Sequence, residues 1–350
     1  MAGRTAIGLD IGTSVVRAAE LSYGRGGITL ERFGQVVLPE GTVHDGEVID
    51  PLPVAASIRQ LWSATGFSHS KVVMGVANQR VLVRQLELPY MPPNELRASL
   101  PFQVQDFLPM AVDAAVLDFF PIEETIGENG GRNLNGLLVA ASRDTVLANV
   151  QCAERAGLSC TSVDLTSFAV LRSMGRHTGP DIETEALIDV GARVTNVVVH
   201  SAGVPRFVRI LLMGGQDVTD AVSERLGIPS QQAEGLKQQL LIADQGTEEF
   251  AAVQRAVATT AQEFVDEIRG SLDYYAASSP GSPVERIVIS GGGSRLEGLQ
   301  ERLASSTRLP VLAGDPLSSL RIGKTGLDDR QLDFVKPLAA VPVGLALGAL

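Results

Sequence analysis

The chain has 350 residues, of which 45% are hydrophobic and 20% charged, too apolar for a mainly disordered protein and longer than one compact core usually holds. Two domains, or one large domain split by a cleft, are expected. A formal charge of −11 excludes a protein held to nucleic acid by a net basic face that neutralises phosphates.

The two cysteines, Cys152 and Cys160, are too few for a disulfide framework and lack zinc spacing. Both read as small buried thiols, and a reducing compartment fits them. Asp10 and several glycines interrupt any signal-peptide run at the N-terminus. The most apolar run, Leu338 to Leu350, contains Pro342 and falls short of the roughly 20 residues that cross a bilayer. A cytoplasmic protein is expected.

In chain order, Thr5–Asp10 and Val15–Glu20 predict a β-hairpin around a glycine turn. Leu52–Thr65 has helical apolar spacing that ends before Gly66, and Lys71–Val76 predicts a strand. From Leu86, five prolines punctuate a stretch that includes a helix over Asn94–Phe107, with Leu96, Leu100, Val104 and Phe107 on one side; an inserted subdomain is expected. Ala114–Pro121 and Leu134–Ala141 predict paired strands, joined by the exposed loop EETIGENGGRN. Thr145–Ala156 follows as an amphipathic helix. After Pro180 the pattern restarts, with a second hairpin over Glu185–Asp189 and Val194–Val199. Phe250–Tyr275 predicts the longest helix, its apolar stripe facing a core. Arg286–Ser290 predicts a strand, followed by three glycines and a helix from about Glu297. A polar connection over 318–329 leads to an apolar C-terminal helix.

The two openings match. Ile7-Gly8-Leu9-Asp10-Ile11-Gly12-Thr13 and Ala186-Leu187-Ile188-Asp189-Val190-Gly191-Ala192 share apolar, apolar, Asp, apolar, Gly, small, at a separation of 179 residues. This repetition points to two related halves facing one another. A tight glycine hairpin exposes successive backbone N–H groups, each a fixed partial positive charge that suits phosphate oxygens. An aspartate at the strand end repels phosphate but can hold Mg²⁺ through carboxylate and water. Singly, each Asp-x-Gly also reads as an ordinary hairpin turn. A third element, Ser290-Gly291-Gly292-Gly293-Ser294, lets a flat or charged ligand approach the backbone. Ile322-Gly323-Lys324-Thr325 lacks the first glycine and preceding strand of a phosphate-binding P-loop, and Gly24-Arg25-Gly26-Gly27 lacks dinucleotide-fingerprint spacing. His44, His69, His177 and His200 are scattered, without metal-ligand spacing.

Two phosphate-type hairpins half a chain apart, then a strand and a triple-glycine loop, resemble the actin, sugar-kinase and heat-shock chaperone ATPase superfamily in that order. Within it, LELPYMPPNELRASLPFQVQDFLP and VDLTSFAVLRS resemble the PilM family of type IV pilus assembly, which shares an extra subdomain, 1C, with the division protein FtsA. The resemblance implies an α/β actin-like ATPase fold: two ribonuclease H-like halves around a nucleotide cleft, with an inserted 1C-type subdomain. Residues 1–85 would form subdomain 1A, completed by 161–184 and 336–350; 86–160 the insert; and 185–335 the second half with its adenosine-binding subdomain.

The same resemblance implies ATP and Mg as ligands. Gly12, Thr13, Ser14 and Arg17 would form the first phosphate loop, Arg17 standing where a lysine often reaches phosphate. Gly191, Ala192 and Thr195 would form the second, with Arg193 replacing a small polar residue. Gly291, Gly292, Gly293 and Ser294 would be the adenosine loop, and Asp10 and Asp189 would hold Mg through water. Glu234 and Lys237 match an Ala-Glu-x-x-Lys helix flanking ribose and adenine, and equally read as a solvated helical pair. Asp164 stands where relatives place the group that orients the attacking water, and reads equally as a helix N-cap. At most slow ATPase activity is implied.

The implied partners are a PilN-like N-terminal cytoplasmic peptide, other pilus assembly-platform proteins and the motor. No nucleic acid is among them, and contact with the inner face of the cytoplasmic membrane would come through partners. The peptide would lie between subdomain 1A and the insert, with Leu88–Pro109 as the pointer. Two further readings stand beside this one. A small-molecule kinase of the sugar-kinase branch would need a catalytic carboxylate and a polar substrate set. An FtsA-like division protein would end in a basic amphipathic helix, whereas Pro337–Leu350 contains no Lys or Arg.

Overall fold

The computed structural model describes residues 4–127, 130–175, 183–240, 248–279 and 281–349. Three strands open the first half: β1 (Arg4–Ile11), β2 (Val15–Gly24) and β3 (Gly27–Val37). After a two-stranded ribbon, β4 (Val43–His44) and β5 (Glu47–Val48), come α1 (Pro51–Thr65) and β6 (Lys71–Val76). Asp50 caps α1 by accepting from Leu52 N, and Gly66 ends it in the left-handed region. The insert comprises β7 (Val81–Pro89), α2 (Pro93–Val104), β8 (Ala115–Ile126) and β9 (Arg132–Ser142). Helix α3 (Arg143–Arg155), β10 (Ser159–Leu165) and α4 (Thr166–Met174) return to the first half.

The second half repeats the plan with β11 (Thr184–Val190), β12 (Thr195–Ser201) and β13 (Val204–Leu211), then α5 (Gly215–Leu226), α6 (Ser230–Leu240) and α7 (Glu248–Ser278). It continues through β14 (Arg286–Ser290), α8 (Leu299–Thr307) and β15 (Val311–Ala313). The chain then crosses back with β16 (Arg321–Ile322), α9 (Asp329–Val335) and α10 (Ala340–Gly348).

The two large sheets share one topology. The first runs β10-β6-β1-β2-β3-β16 and the second β13-β12-β11-β14-β15. In each, an antiparallel meander of three strands is extended by parallel partners of its first strand: β6 and β10 beside β1, and β14 and β15 beside β11. The expected hairpins are therefore the first two strands of three-stranded meanders. Parallel strands buried on both faces read as continuous apolar runs, as in Ala186–Val190 and Ile287–Ile289.

The three-stranded insert sheet, β7-β9-β8, starts at Val81 and ends at Ser142. Helix α3, inside the range given to the insert, packs instead on the first-half core through Cys152 and Ala153. The helix expected over Asn94–Phe107 stops at Val104 and tightens into a 3₁₀ turn over Gln105–Phe107, leaving Phe107 39% exposed. Leu96, Leu100 and Val104 pack with Leu88, Phe119, Leu134 and Leu138, so the apolar stripe of the insert is spent on its own sheet. The loop expected at EETIGENGGRN is mostly strand: Glu123 to Ile126 pair with Asn135 to Arg132. Residues 128 and 129 of that loop lie outside the described residues.

Helix α10 is buried along Ala340–Leu347 and packs on α4 and the first sheet. One continuous core joins α4, α10, the β9 face of the insert and the β11–β13 face of the second half, through Val73, Leu137, Leu165, Leu187, Val198, Val208 and Leu345. The long helix expected over Phe250–Tyr275 runs from Glu248 to Ser278, with its apolar stripe buried. Cys152 is fully buried, and burial pushes its thiol up to about 11; Cys160 is only partly buried, because β10 is the edge strand of the first sheet. Among the described residues no helix is long and apolar enough to cross a membrane.

Candidate functional site

The carboxyl ends of the central strands of both sheets converge on one cleft of about 810 Å³, a size typical of small-molecule sites. Two hairpin turns face each other across it. Each is closed by the same bond, Gly12 N–H donating to Val15 O at 3.1 Å and Gly191 N–H donating to Val194 O at 3.0 Å. A Cβ on Gly12 would meet Val15 O at 2.9 Å, and one on Gly191 would meet Val194 O at 2.5 Å, so the turns exclude any side chain at these positions. The next N–H groups, of Thr13 and Ser14 and of Ala192 and Arg193, find no acceptor among the described residues. Two such concavities suit the oxygens of a polyphosphate.

Asp10 and Asp189 end β1 and β11 beside these turns and line the same cleft. Asp10 keeps 13% of its side chain exposed and Asp189 is 7% exposed. Burial pushes the Asp10 carboxyl up to about 6, against the pull of Arg17, and the charge of Asp189 adds to the rise. Burial also raises Asp189, opposed by a 2.8 Å hydrogen bond from Ser290 Oγ and by Arg17. Two buried carboxylates that resist ionisation fit a divalent cation, which would restore both charges. Among the described residues no cluster of three metal-type side chains exists. Two carboxylates completed by water and phosphate oxygens are nonetheless a donor set that Mg²⁺ takes.

Most of the expected site residues meet in this cleft: Asp10, Gly12, Thr13, Ser14, Arg17, Asp189, Gly191, Ala192, Glu234, Lys237, Gly291, Gly292 and Gly293 all line it. Arg17 lies 3.9 Å from Asp10 and 3.4 Å from Gln35 Oε1. Lys237 donates to Gly215 O and Thr219 Oγ1, each at 2.8 Å, and pairs with Glu234. This network removes the reading of a solvated helical pair. Gly291 takes φ +84°, and its N–H donates to Pro337 O in the crossing segment.

Three expectations are corrected. Thr195 is fully buried and donates to Met213 O at 2.8 Å, so it braces the second turn from behind. Ser294 donates to Gly291 O at 2.7 Å and closes its own loop; a 3₁₀ turn over Gly292–Arg295 leads on to α8, which begins at Leu299, close to the helix start expected near Glu297. Asp164 neither lines the cleft nor caps α4. Its Oδ1 accepts from Leu165 N and its Oδ2 pairs with Arg172, because the chain turns from strand to helix at Leu165–Thr166, which breaks the alternation and leaves Thr166 toward the cleft with Asp164 aside. Arg193, in turn, pairs with Asp217 at 2.7 Å and with Asp220, anchoring the second turn to α5.

Several lining residues were missed. Thr166 opens α4 against the cleft and donates to Asn196 Oδ1 at 2.9 Å, as Ser167 does at 2.7 Å. Gly215 and Gln216 begin α5 and donate to Gly191 O and Ala192 O at 3.0 and 2.7 Å; the Gly214-Gly215 pair ahead of an amphipathic run was the available signal. Arg295 stacks over Phe334 at 4.2 Å and lines the cleft from the second half.

Repeated meanders, paired turns and a cleft between them define an actin-like ATPase fold. MreB5 of Spiroplasma citri bound to ADP has the same fold, at a TM-score of 0.55 and 11% identity over 98% of this chain and 95% of that one. The chain belongs to the family "Type IV pilus assembly protein PilM", whose sequence pattern matches residues 8–350. It resembles the solved "PilM-PilN type IV pilus biogenesis complex" at a TM-score of 0.87 and 25% identity, over 98% of each chain. It is also 26% identical over 230 residues to the cell division protein FtsA of Neisseria meningitidis serogroup B, covering 59% of this chain and 55% of that protein. The chain thus spans about half the length of the FtsA relatives it matches.

Proposed function

We propose that this protein binds ATP with Mg²⁺ between the two glycine turns, and docks the N-terminal cytoplasmic peptide of a PilN-like membrane protein as part of a type IV pilus assembly platform. The observation that carries the nucleotide reading is the pair of matching turns, each with free N–H groups and a raised aspartate, on opposite walls of one cleft. Asp10 and Asp189 would hold the cation, which would supply charge neutralisation for the phosphates. Arg17 offers a cation to the phosphate chain, and Glu234 and Lys237 sit where ribose and base would lie.

Hydrolysis is slow in this reading. At the start of α4 the cleft presents the Thr166 hydroxyl in place of a carboxylate, and the acidic residues that line it besides the metal pair, Glu234, paired with Lys237, and Glu297, both belong to the second half. Nucleotide therefore acts as a clamp between the halves, biasing the insert through the shared core of α4, α10 and β9. Membrane proximity follows from the partner. Helix α10, buried along its length, is not a membrane-lying helix of the kind a division protein would use.

The peptide reading rests on membership of the family and on likeness to a PilM–PilN complex. Since the leucine stripe of the insert is occupied, its exposed aromatics are the better contact candidates: Phe102 at 79%, and Tyr90 and Phe107 at 39% each. Arg132 lies over Tyr90 and Arg84 over Phe107.

Isothermal titration calorimetry tests both parts. Mg-ATP should bind one site per chain, and chelation of Mg²⁺ should weaken it at least tenfold. A synthetic peptide from the partner's N-terminus should bind and lose affinity in Phe102→Ala. Absence of Mg-ATP binding rejects the nucleotide reading, and peptide affinity indifferent to Phe102, Tyr90 and Phe107 moves the docking surface elsewhere.

A further inference from the structure

The second turn is followed by one polar group that its own half does not use. Asn196 pairs with Asp189 across the β11–β12 ladder, and directly opposed residues share a face of the sheet, so both side chains reach the cleft. Asn196 is 4% exposed. Its Oδ1 is taken by the other half, accepting from Thr166 Oγ1 and Ser167 Oγ at the first turn of α4. Among the described residues nothing accepts from its Nδ2, and that atom is not sealed from solvent. A buried amide with one arm bonded and the other open to a cleft calls for a ligand or an ordered water at the open arm.

The surroundings hold this arrangement. The Thr166 methyl packs on Gly75, where an added Cβ would meet Cγ2 at 2.7 Å, and this leaves the Thr166 hydroxyl to Asn196. Two hydroxyls can bond either end of an amide; the Asp189 carboxylate on the same face favours the donor end in the cleft. Helix α4 itself starts here, and no side chain caps it. Its first N–H groups and its dipole add positive potential at the point that Asn196 Nδ2 faces.

A donor selects the atom it meets. A water on Mg²⁺ turns its oxygen to the metal and its hydrogens outward, so it does not accept from Nδ2, whereas a phosphate oxygen does.

We propose that Asn196 Nδ2 and the start of α4 form an anion subsite for a phosphate oxygen of the bound nucleotide, and that Asn196 thereby clasps the two halves around it. The proposal rests on the nucleotide reading above and adds a contact that neither glycine turn supplies. Donation to an anion polarises the amide and makes Oδ1 the stronger acceptor for both hydroxyls. Ligand and interdomain bond therefore support each other, and by reciprocity loss of the bond weakens the ligand.

Titration calorimetry with Mg-ATP at pH 8, on the wild type, Asn196→Ala and Asn196→Asp, reads the subsite. Asn196→Asp keeps an oxygen for the two hydroxyls and puts an acceptor where the donor was, so it serves even if Asn196→Ala does not fold. Each variant should lose at least about tenfold in affinity, the scale of one charge-assisted hydrogen bond. A smaller loss in Asn196→Asp overturns the subsite: wild-type affinity there beside a loss in Asn196→Ala would mark a structural residue, and a gain would put the cation, rather than phosphate, at this position. Ser167→Ala reads the clasp, since Ser167 is fully buried and does not line the cleft. It should weaken Mg-ATP at least about twofold in the wild type, the lower end of coupling between groups in contact. In the Asn196→Asp background, where no donor reaches the ligand, the same change should cost nothing. Equal costs in both backgrounds, or none in the wild type, overturn the clasp. If the wild type binds no Mg-ATP, the nucleotide reading falls, and this proposal with it.

Discussion

The two glycine hairpins are built alike and equipped differently. Opposite Asp10 in the ladder stands Arg17, while opposite Asp189 stands Asn196. The first turn keeps its arginine in the cleft. The second sends Arg193 away to Asp217 and Asp220, and the oxygen of Asn196 is taken by Thr166 and Ser167 of the other half. Duplication thus preserves the backbone of the glycine turn, and divergence assigns the side chains: a cation on one wall, a bond between the halves on the other.

The comparison breaks most severely at the backbone. Gly191→Val places a side chain against Val194 O and should cost at least about a hundredfold in Mg-ATP affinity. Gly12→Ala, with slightly more room, should cost less; titration calorimetry on folded protein ranks the two. An equal and small effect would mean that the turns do not carry the phosphates.

Next come the arginines. Arg17→Ala should weaken Mg-ATP about tenfold, as loss of one charge-assisted phosphate contact does. Arg193→Ala should leave affinity within about twofold and lower stability by about 1 kcal/mol or less, since its partners are partly exposed. The reverse pattern would exchange their roles.

The aspartates give a pH signature. Because folding raises Asp10 from 3.8 to about 6, the native state holds more protons than the unfolded state between these values. Its contribution is fully present below about pH 4 and is lost as pH rises through 6. Without nucleotide, Asp10→Asn should therefore be more stable than the wild type at pH 8, by about 2 to 3 kcal/mol on the scale of the shift. The advantage should vanish near pH 4 in thermal melts. A flat difference across this range would show that Asp10 is not strained by its burial.

The smallest effect concerns the support behind the second turn. Thr195→Val removes the bond to Met213 O and should destabilise by about 1 kcal/mol, with Mg-ATP affinity changed less than about threefold. A large loss of affinity would return Thr195 to the ligand.

The repeated Asp-x-Gly phrase, the apolar strands and the stripe of α7 were readable because each is a local pattern with one physical cause. The third strand of each meander, Gly27–Val37 and Val204–Leu211, carried no expectation, since mixed polar faces near a sheet edge blur the alternation. Asp164 and Thr166 show the limit at the site. Both occur in VDLTSFA, and only the strand-to-helix geometry decides that the hydroxyl faces the cleft while the carboxylate pairs with Arg172. Arg193 was placed in doubt by its size alone; its partners lie 24 and 27 residues away on α5, beyond any local pattern.

A crystal structure with Mn²⁺ and a non-hydrolysable ATP analogue tests the central claim most directly, through the anomalous signal of the metal. The account predicts one strong peak between the carboxylates of Asp10 and Asp189, with the phosphates on the N–H groups of Thr13, Ser14, Ala192 and Arg193. A metal bound away from both aspartates, or a nucleotide held outside the two turns, would contradict it.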